Sequence, residues 1–309
     1  MPDIVITEFM DTAAADRLSG AYDVINDPGL VDRPDELLRV VSEARALIVR
    51  NRTQVRGDLL AAAGRLTCVG RLGVGLDNID VDACEARGIG VFPATGANDL
   101  SVAEYVITAA LVLLRRSWFA TDSVVAGQWP RQASVGRELS GRTIGLVGFG
   151  AIGRETAVRA CALGMTAIAH DPFLPADSPH WALAGNASFD ELLATSDVVS
   201  LHTPLTPDTR HLVDARALAR MKRDAILVNA ARGGIVDETA LVAALRNGRL
   251  GGAALDVFEN EPVSAESGRA FAGVPNLLLT PHIAGVTEES NVRVSNLIAD
   301  RVLEHLGTA

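Results

Sequence analysis

Three residues suited to handling protons and anions stand just past apolar runs in the second half of this chain. They are Arg232 in AILVNAARGG, Glu261 in LDVFENEPV and His282 in NLLLTPHIAG. A histidine titrates near neutral pH and can pass a proton in either direction. A carboxylate hydrogen-bonded to one ring nitrogen fixes the tautomer, favours the imidazolium and leaves the other nitrogen to exchange the proton. A guanidinium can grip a carboxylate through two parallel hydrogen bonds and polarise a neighbouring carbonyl oxygen. Most lone histidines are simply packed and hydrogen-bonded. Only convergence at one edge of a sheet would turn these three into a catalytic set.

A second motif supplies a reason for convergence. The run TIGLVG leads into GFGAIG, with Gly148, Gly150 and Gly153 in a G-x-G-x-x-G pattern, and the helical RETAVRACALG follows. Strand, glycine turn and helix in that order suit a dinucleotide. Gly148 makes the tight turn, Gly150 lets the backbone approach a pyrophosphate, Gly153 permits close packing, and the helix start at Ala151 and Ile152 offers free N–H groups. Asp171 ends the next strand about 20 residues later, where an acid accepts from a ribose and repels a 2′-phosphate. No Arg or Lys follows in PFLPADS, so the pattern favours NAD over NADP. A nicotinamide carries a hydride, and moving a hydride to or from a C–OH/C=O pair needs the proton that His282 could handle.

These residues must be held by a framework of strands and helices. DIVIT, ALIV and TCVGRL read as buried strands in the first hundred residues, with amphipathic helices at 33–44 and 81–88 between strands. Gly88 suits a left-handed helix stop. The longer helix 101–115 is apolar on most faces and has to be buried. A second series follows, with strands expected at 143–148, 165–170, 197–201, 225–230, 252–257 and 276–280. Strands alternating with helices make parallel α/β sheets, and six strands suffice for a doubly wound one. In such sheets ligands bind beyond the carboxyl ends of the strands, which is where Arg232, Glu261 and His282 fall.

Composition narrows the classes. The 309 residues exceed one ordinary core, so two domains are expected. A net charge of −10 argues against nonspecific nucleic-acid binding. Cys68, Cys84 and Cys161 are scattered, with no CxxC pair, which fits a reducing cytoplasm and no structural metal. The apolar run Tyr105 to Leu114 is too short to span a bilayer, and the acidic N-terminus does not read as a secretory signal, so neither membrane nor export is expected.

Together the motifs resemble the D-isomer-specific 2-hydroxyacid dehydrogenases, over essentially the whole chain. The resemblance runs through GRLGVGLDNID, SVAEY, GLVGFGAIG, LHTPLTPDTRHLV, NAARGGIVDE, LDVFENEP and TPHIAG. It implies a Rossmann-type nucleotide domain, here residues 99–283, inserted in a flavodoxin-like substrate domain built from 1–98 and 284–309. It implies Arg232, Glu261 and His282 as the catalytic set and Asp256 on the nicotinamide amide. The backbone of Val74 and Gly75 is then expected on the substrate carboxylate, with Thr203, Pro204 and Ala230 in the cofactor cradle. Family members are usually homodimers joined through the nucleotide domain.

The substrate is expected to be a small 2-hydroxy acid and its 2-oxo partner. Arg50 and Arg52 in VRNRTQV would face a second anionic group, because a buried unpaired cation is costly without one. That segment looks like the branch holding 3-phosphoglycerate and sulfolactate dehydrogenases, with sulfolactate favoured and glyoxylate or hydroxypyruvate reduction as the alternative. The chain ends at EHLGTA, so no serine-type regulatory extension is expected. Glu261 argues against formate dehydrogenases of this fold, which carry glutamine there. A dinucleotide-sensing regulator is the remaining alternative, disfavoured by the acidic balance. His202 reads as structural, Glu259 and His170 as solvated, and Trp129 as an anchor in a loop corner.

Overall fold

The computed structural model describes residues 2–116 and 118–307. The chain divides into two compact units, Met1–Asn98 with Val286–Ala309, and Asp99–Gly285.

The described residues of the first unit form a five-stranded parallel sheet. Its strands are β1 (Ile4–Ile6), β2 (Val24–Asn26), β3 (Ala46–Val49), β4 (Cys68–Arg71) and β5 (Gly90–Pro93), in the order β2-β1-β3-β4-β5. This is the flavodoxin-like order. Both faces are buried, as a parallel sheet requires. Ile4, Ile6 and Ile48 face one core with Val294, Ile298 and Val302 of the helix Glu288–Gly307. Val5, Leu47, Val49 and Val69 face another with Leu37, Val41 and Leu59. At Gly70 a Cβ would lie 2.5 Å from Ile298 Cγ2, so glycine is what lets that helix settle on β4. Gly88 follows the helix Val81–Ala86 at φ 69°, the left-handed stop expected from the sequence. Strand β2 was not legible in the sequence, because its three residues are half-buried or exposed and flanked by polar turns.

The described residues of the second unit form a seven-stranded parallel sheet. Its strands are β6 (Thr143–Val147), β7 (Thr166–His170), β8 (Gly185–Asn186), β9 (Val198–Leu201), β10 (Ile226–Asn229), β11 (Gly252–Leu255) and β12 (Leu277–Leu279). The order β12-β11-β10-β9-β6-β7-β8 is doubly wound, and the chain reverses direction of travel across the sheet between β6 and β9. Six of these strands are the apolar runs expected; β8 is a seventh, two exposed residues at the sheet edge with no apolar run to announce it. The helix Asp99–Arg115 buries Val106, Ala110, Leu113 and Leu114 against Ile144, Leu146, Val228 and Ala254 of this sheet. Among the described residues no helix is long and apolar enough to cross a membrane, and no group of three or more His, Cys, Asp or Glu side chains could hold a metal ion.

Candidate active site

At the carboxyl end of β6 the chain turns sharply through Gly148, at φ 91°. A Cβ there would lie 2.6 Å from the His202 carbonyl oxygen and 3.0 Å from Thr203 Cγ2. Gly150 caps the helix Ala151–Ala162 without a side-chain hydrogen bond, and nothing lies within 4 Å of where its Cβ would stand. The first-turn amides of Ala151, Ile152 and Gly153 are therefore left to an outside acceptor. At Gly153 a Cβ would meet the Gly148 carbonyl oxygen at 2.7 Å, so this glycine lets the helix start fold onto the turn itself. Asp171, just past β7, receives the Phe149 N–H on Oδ2 at 2.8 Å and the Phe173 N–H on Oδ1 at 3.0 Å. Its carboxylate thus ties the glycine turn to the end of β7 and keeps lone pairs for a further donor. Thr203 Oγ1 is buried with no hydrogen-bond partner among the described residues, the kind of polar atom a ligand satisfies. Pro204 and Ala230 close the turns after β9 and β10. His202 is half-buried, with Nε2 3.0 Å from Ser200 Oγ, and desolvation pushes its pKa down to about 4. It stays neutral at ordinary pH, which suits a structural residue.

The three charged residues named from the sequence sit on the turns after β10, β11 and β12. His282 Nδ1 is 2.7 Å from Glu261 Oε2, and Glu261 Oε1 accepts the Phe258 N–H at 2.9 Å. Burial raises the Glu261 pKa, but the hydrogen bonds from His282 and Phe258 and the charges of His282 and Arg232 outweigh it and hold it below the usual carboxylate range. Arg232 belongs to a turn shaped by the buried Asn229, whose amide donates to the Arg232 carbonyl at 2.9 Å and accepts the Ala231 N–H at 3.1 Å. At Gly233 a Cβ would lie 1.7 Å from the Phe258 carbonyl oxygen. Only a glycine allows the turn carrying Arg232 to press against the turn leading to Glu261. His282 itself adopts φ 57°, a left-handed conformation that a non-glycine residue holds only when its surroundings enforce it. Asp256, 1% exposed, does much of the enforcing: its carboxylate accepts the Ile283 and Ala284 N–H groups, both at 2.8 Å.

Several residues around this set depart from the sequence expectation. Glu259 is not merely solvated. Its Oε1 accepts the Glu238 N–H at 3.2 Å and lies 3.3 Å from His211 Nε2, while Glu238 Oε1 accepts the Glu259 N–H at 2.7 Å. The two glutamates lock the β11 turn to the start of the helix Glu238–Arg246. His170 is also engaged, with Nδ1 3.1 Å from the Ala187 carbonyl oxygen and its ring beside Phe189. Trp129 is no anchor: it is 76% exposed, because the segment around it lies on the surface of its unit.

In the first unit the loop after β3 is built around Glu8, which is 5% exposed. Glu8 Oε1 accepts the N–H groups of Arg50 and Thr53, both at 3.0 Å, and Oε2 accepts that of Arg52 at 3.2 Å. Asn78 braces the same loop by donating to the Arg50 and Thr53 carbonyls at 2.9 and 2.7 Å. The two arginines then part. Arg52 is exposed and pairs with Asp32. Arg50 is half-buried, donates to Asn291 Oδ1 at 3.0 Å and sits 5.8 Å from the centre of the Phe9 ring. Burial lowers its pKa, against the opposing charge of Glu8. Val74 and Gly75 are half-buried in the turn after β4. Arg71, not singled out from the sequence, donates to the Leu72 carbonyl at 3.0 Å across Gly73, where a Cβ would lie 1.7 Å from its Nη1.

Residues 107–284 match the family described as D-isomer specific 2-hydroxyacid dehydrogenase, NAD binding domain. This chain belongs to that family. It is 54% identical over 308 residues to the (S)-sulfolactate dehydrogenase of Chromohalobacter salexigens, covering 99% of each chain. It is 41% identical over 274 residues to the hydroxypyruvate reductase of Thermotoga maritima, 88% of each. A D-3-phosphoglycerate dehydrogenase of Archaeoglobus fulgidus is 41% identical over 87% of this chain, which spans 51% of that relative's length. Among solved structures, the D-lactate dehydrogenase of Aquifex aeolicus with NAD and lactic acid superposes with a TM-score of 0.88, at 27% identity over 99% of this chain and 96% of that one.

The protein is thus an NAD-dependent 2-hydroxyacid dehydrogenase. The second unit fits that cofactor: the glycine turn and uncapped helix start would suit a pyrophosphate, the Asp171 carboxylate has lone pairs that would suit a ribose, and the Thr203 hydroxyl is a buried polar atom that a ligand would satisfy. Bound NAD accepts or supplies the hydride. Sequence alone did not point to Glu8, Asn291, Glu238 or His211, because each acts through partners far off in the chain, nor to Asn229, whose side chain shapes the adjacent turn through Ala231 and Arg232. Tyr105 left a faint signal, the one aromatic residue in the helix Asp99–Arg115.

Proposed function

We propose that the enzyme interconverts a small 2-hydroxy acid bearing a second anionic group with its 2-oxo acid, sulfolactate and sulfopyruvate foremost. The observation that carries this reading is the 54% identity, over 99% of both chains, to a sulfolactate dehydrogenase. The half-buried Arg50 guanidinium supports it, since its direct partners are an amide and an aromatic ring and the Glu8 charge that acts on it is spent on backbone N–H groups, so an incoming anion could pair with it. In this reading the second unit holds NAD and the first holds the acid. Arg232 grips the substrate carboxylate, the amides of Val74 and Gly75 assist, and Arg50 rather than the ion-paired Arg52 reads the distal sulfonate or phosphate. During reduction His282 gives a proton through Nε2 to the carbonyl oxygen while Glu261 holds Nδ1. In oxidation the same nitrogen takes the proton back. Asp171 accepts from the ribose hydroxyls and disfavours a 2′-phosphate, and Asp256 meets the nicotinamide amide.

We also propose a homodimer in the cytoplasm. Trp118, Val125 and Trp129, between 63% and 82% exposed on the second unit, are large apolar side chains that a second copy would cover. The net charge of −10 and three free cysteines suit a reducing compartment. Glyoxylate or hydroxypyruvate reduction is the second reading, favoured by the Thermotoga maritima relative. Initial rates of NADH oxidation with sulfopyruvate, phosphohydroxypyruvate, hydroxypyruvate and glyoxylate separate them. The first reading expects kcat/KM to be highest on an acid with a distal anion; highest efficiency on glyoxylate or hydroxypyruvate rejects it.

A further inference from the structure

The helix Asp99–Arg115 turns one phenol toward the end of β12. The Tyr105 hydroxyl lies 2.6 Å from Thr280 Oγ1, and Thr280 Oγ1 lies 2.6 Å from Asp256 Oδ1. A hydroxyl has one proton to give, and an ionised carboxylate only accepts. Thr280 therefore donates to Asp256 and accepts from Tyr105, so the chain has one direction, Tyr105 to Thr280 to Asp256. Burial pushes the Tyr105 pKa up to about 12, which keeps it a donor throughout the working range.

At its other end this chain meets the turn that carries His282. Asp256 Oδ1 accepts the Ile283 N–H as well as the Thr280 hydroxyl, Oδ2 accepts the Ala284 N–H, and the Asp256 carbonyl accepts the His282 N–H at 2.8 Å. The backbone donors to Asp256 in this turn are the left-handed His282 itself and the two residues after it. A carboxylate that rotated would release two amides at once. The Thr280 hydroxyl fixes the rotation, and Tyr105, anchored in a buried helix, fixes the Thr280 hydroxyl.

We propose that Tyr105 and Thr280 are positioning residues for the acid–base histidine, orienting the Asp256 carboxylate so that its hold on residues 282–284 keeps His282 left-handed and on Glu261. The inference rests on the proton-transfer role given to His282 above. It also predicts a pH signature. Burial raises the Asp256 pKa, and the hydrogen bonds from Thr280, Ala284 and Ile283 and the charge of His282 work against that rise. Glu261 is held below its usual range. The Thr280 hydrogen bond favours the charged form of Asp256, so removing that donor makes Asp256 lose its charge at higher pH.

The test measures kcat, the KM for the 2-oxo acid, NADH affinity by fluorescence and the acid limb of the pH–rate profile for Tyr105→Phe, Thr280→Val, Thr280→Ser and His282→Ala. Thr280→Val should lower kcat about 10- to 100-fold and move the acid limb to higher pH, and Thr280→Ser should restore most of both. Tyr105→Phe should act in the same direction by roughly 3- to 10-fold, because a polarising donor strengthens the next bond in a chain. The KM for the 2-oxo acid should stay within about twofold, since an orienting bond is felt in the transition state, while NADH affinity should weaken by less than kcat falls, because Asp256 also meets the nicotinamide amide. An unmoved acid limb, or a uniform loss at every pH, overturns the proposal. If Thr280→Val does not fold, Tyr105→Phe with wild-type kcat and acid limb overturns it alone. An inactive His282→Ala beside unaffected Tyr105 and Thr280 variants sinks this inference only; turnover in His282→Ala sinks the reading beneath it as well.

Discussion

In the second unit the buried carboxylate of Asp256 clasps the turn that carries His282, and Glu261 takes the histidine's own ring nitrogen. In the first unit the buried carboxylate of Glu8 also clasps a strand-end loop, through three backbone N–H groups at 3.0 to 3.2 Å; of the two arginines on that loop Arg52 pairs with Asp32, while the Arg50 side chain makes no ion pair with a carboxylate among the described residues. Arg50 is held by an amide and an aromatic face. The same device therefore serves two ends. Where the base on the clasped turn meets an acid from the neighbouring turn, the arrangement suits moving a proton. Where the acid is used up on the backbone, a cation is left half-buried and suits an anion brought from outside.

The sharpest way to break the comparison lies in the second unit. His282→Ala should lower kcat roughly 10²- to 10⁴-fold, the usual worth of a positioned acid–base group, with NADH still bound. Stopped-flow hydride transfer within a few-fold of wild type would remove His282 from the chemistry. Glu261→Gln keeps an acceptor for Nδ1 but loses the charge, so kcat should fall about 10- to 100-fold, with Glu261→Ala worse. Equal rates in all three would mean that the 2.7 Å contact has no part in turnover.

How much of this was legible in the sequence depended on where each residue's partners lie. The glycine turn, Asp171, Arg232, Glu261 and His282 stand at strand ends after apolar runs, and strand ends of a parallel sheet converge by topology alone. Five of the strands were plain for the same reason, their both-face burial demanding unbroken apolar residues. Strand β8 lacks that demand, being two exposed residues. Glu8 reads as one acid after a strand, and its task appears only when β1 and β3 pair and bring residues 42 to 45 positions away onto it. Glu259 is exposed, as the sequence suggested, but its partners were hidden until folding set His211 and the Glu238 amide beside it.

A smaller effect concerns the cofactor cradle. Asp171→Ala should weaken NADH about tenfold and narrow its lead over NADPH, since one charge-assisted bond to a ribose is worth on the order of 1.5 kcal/mol. An unchanged NADH to NADPH ratio would exclude Asp171 from recognition. The smallest effect is on stability. His202 has its pKa depressed from 6.5 to about 4, so the unfolded chain takes up its proton first as pH falls. The stability it confers is complete above the unfolded value and is lost as pH falls through that window. His202→Asn should flatten the decline of Tm there by a few degrees, and an identical decline in wild type and variant would contradict this.

The most direct test of the contrast between the two units is a substrate comparison in Arg50→Met and Arg52→Met, which keep the apolar stem and remove the charge. Initial rates on sulfopyruvate and on glyoxylate, which lacks a distal group, suffice. Arg50→Met should lose about 10- to 100-fold in kcat/KM on sulfopyruvate and little on glyoxylate, the worth of one charge-assisted contact, while Arg52→Met, freed only from its surface pair with Asp32, should change neither. Equal losses on both substrates, or a loss that follows Arg52 instead of Arg50, would contradict the account.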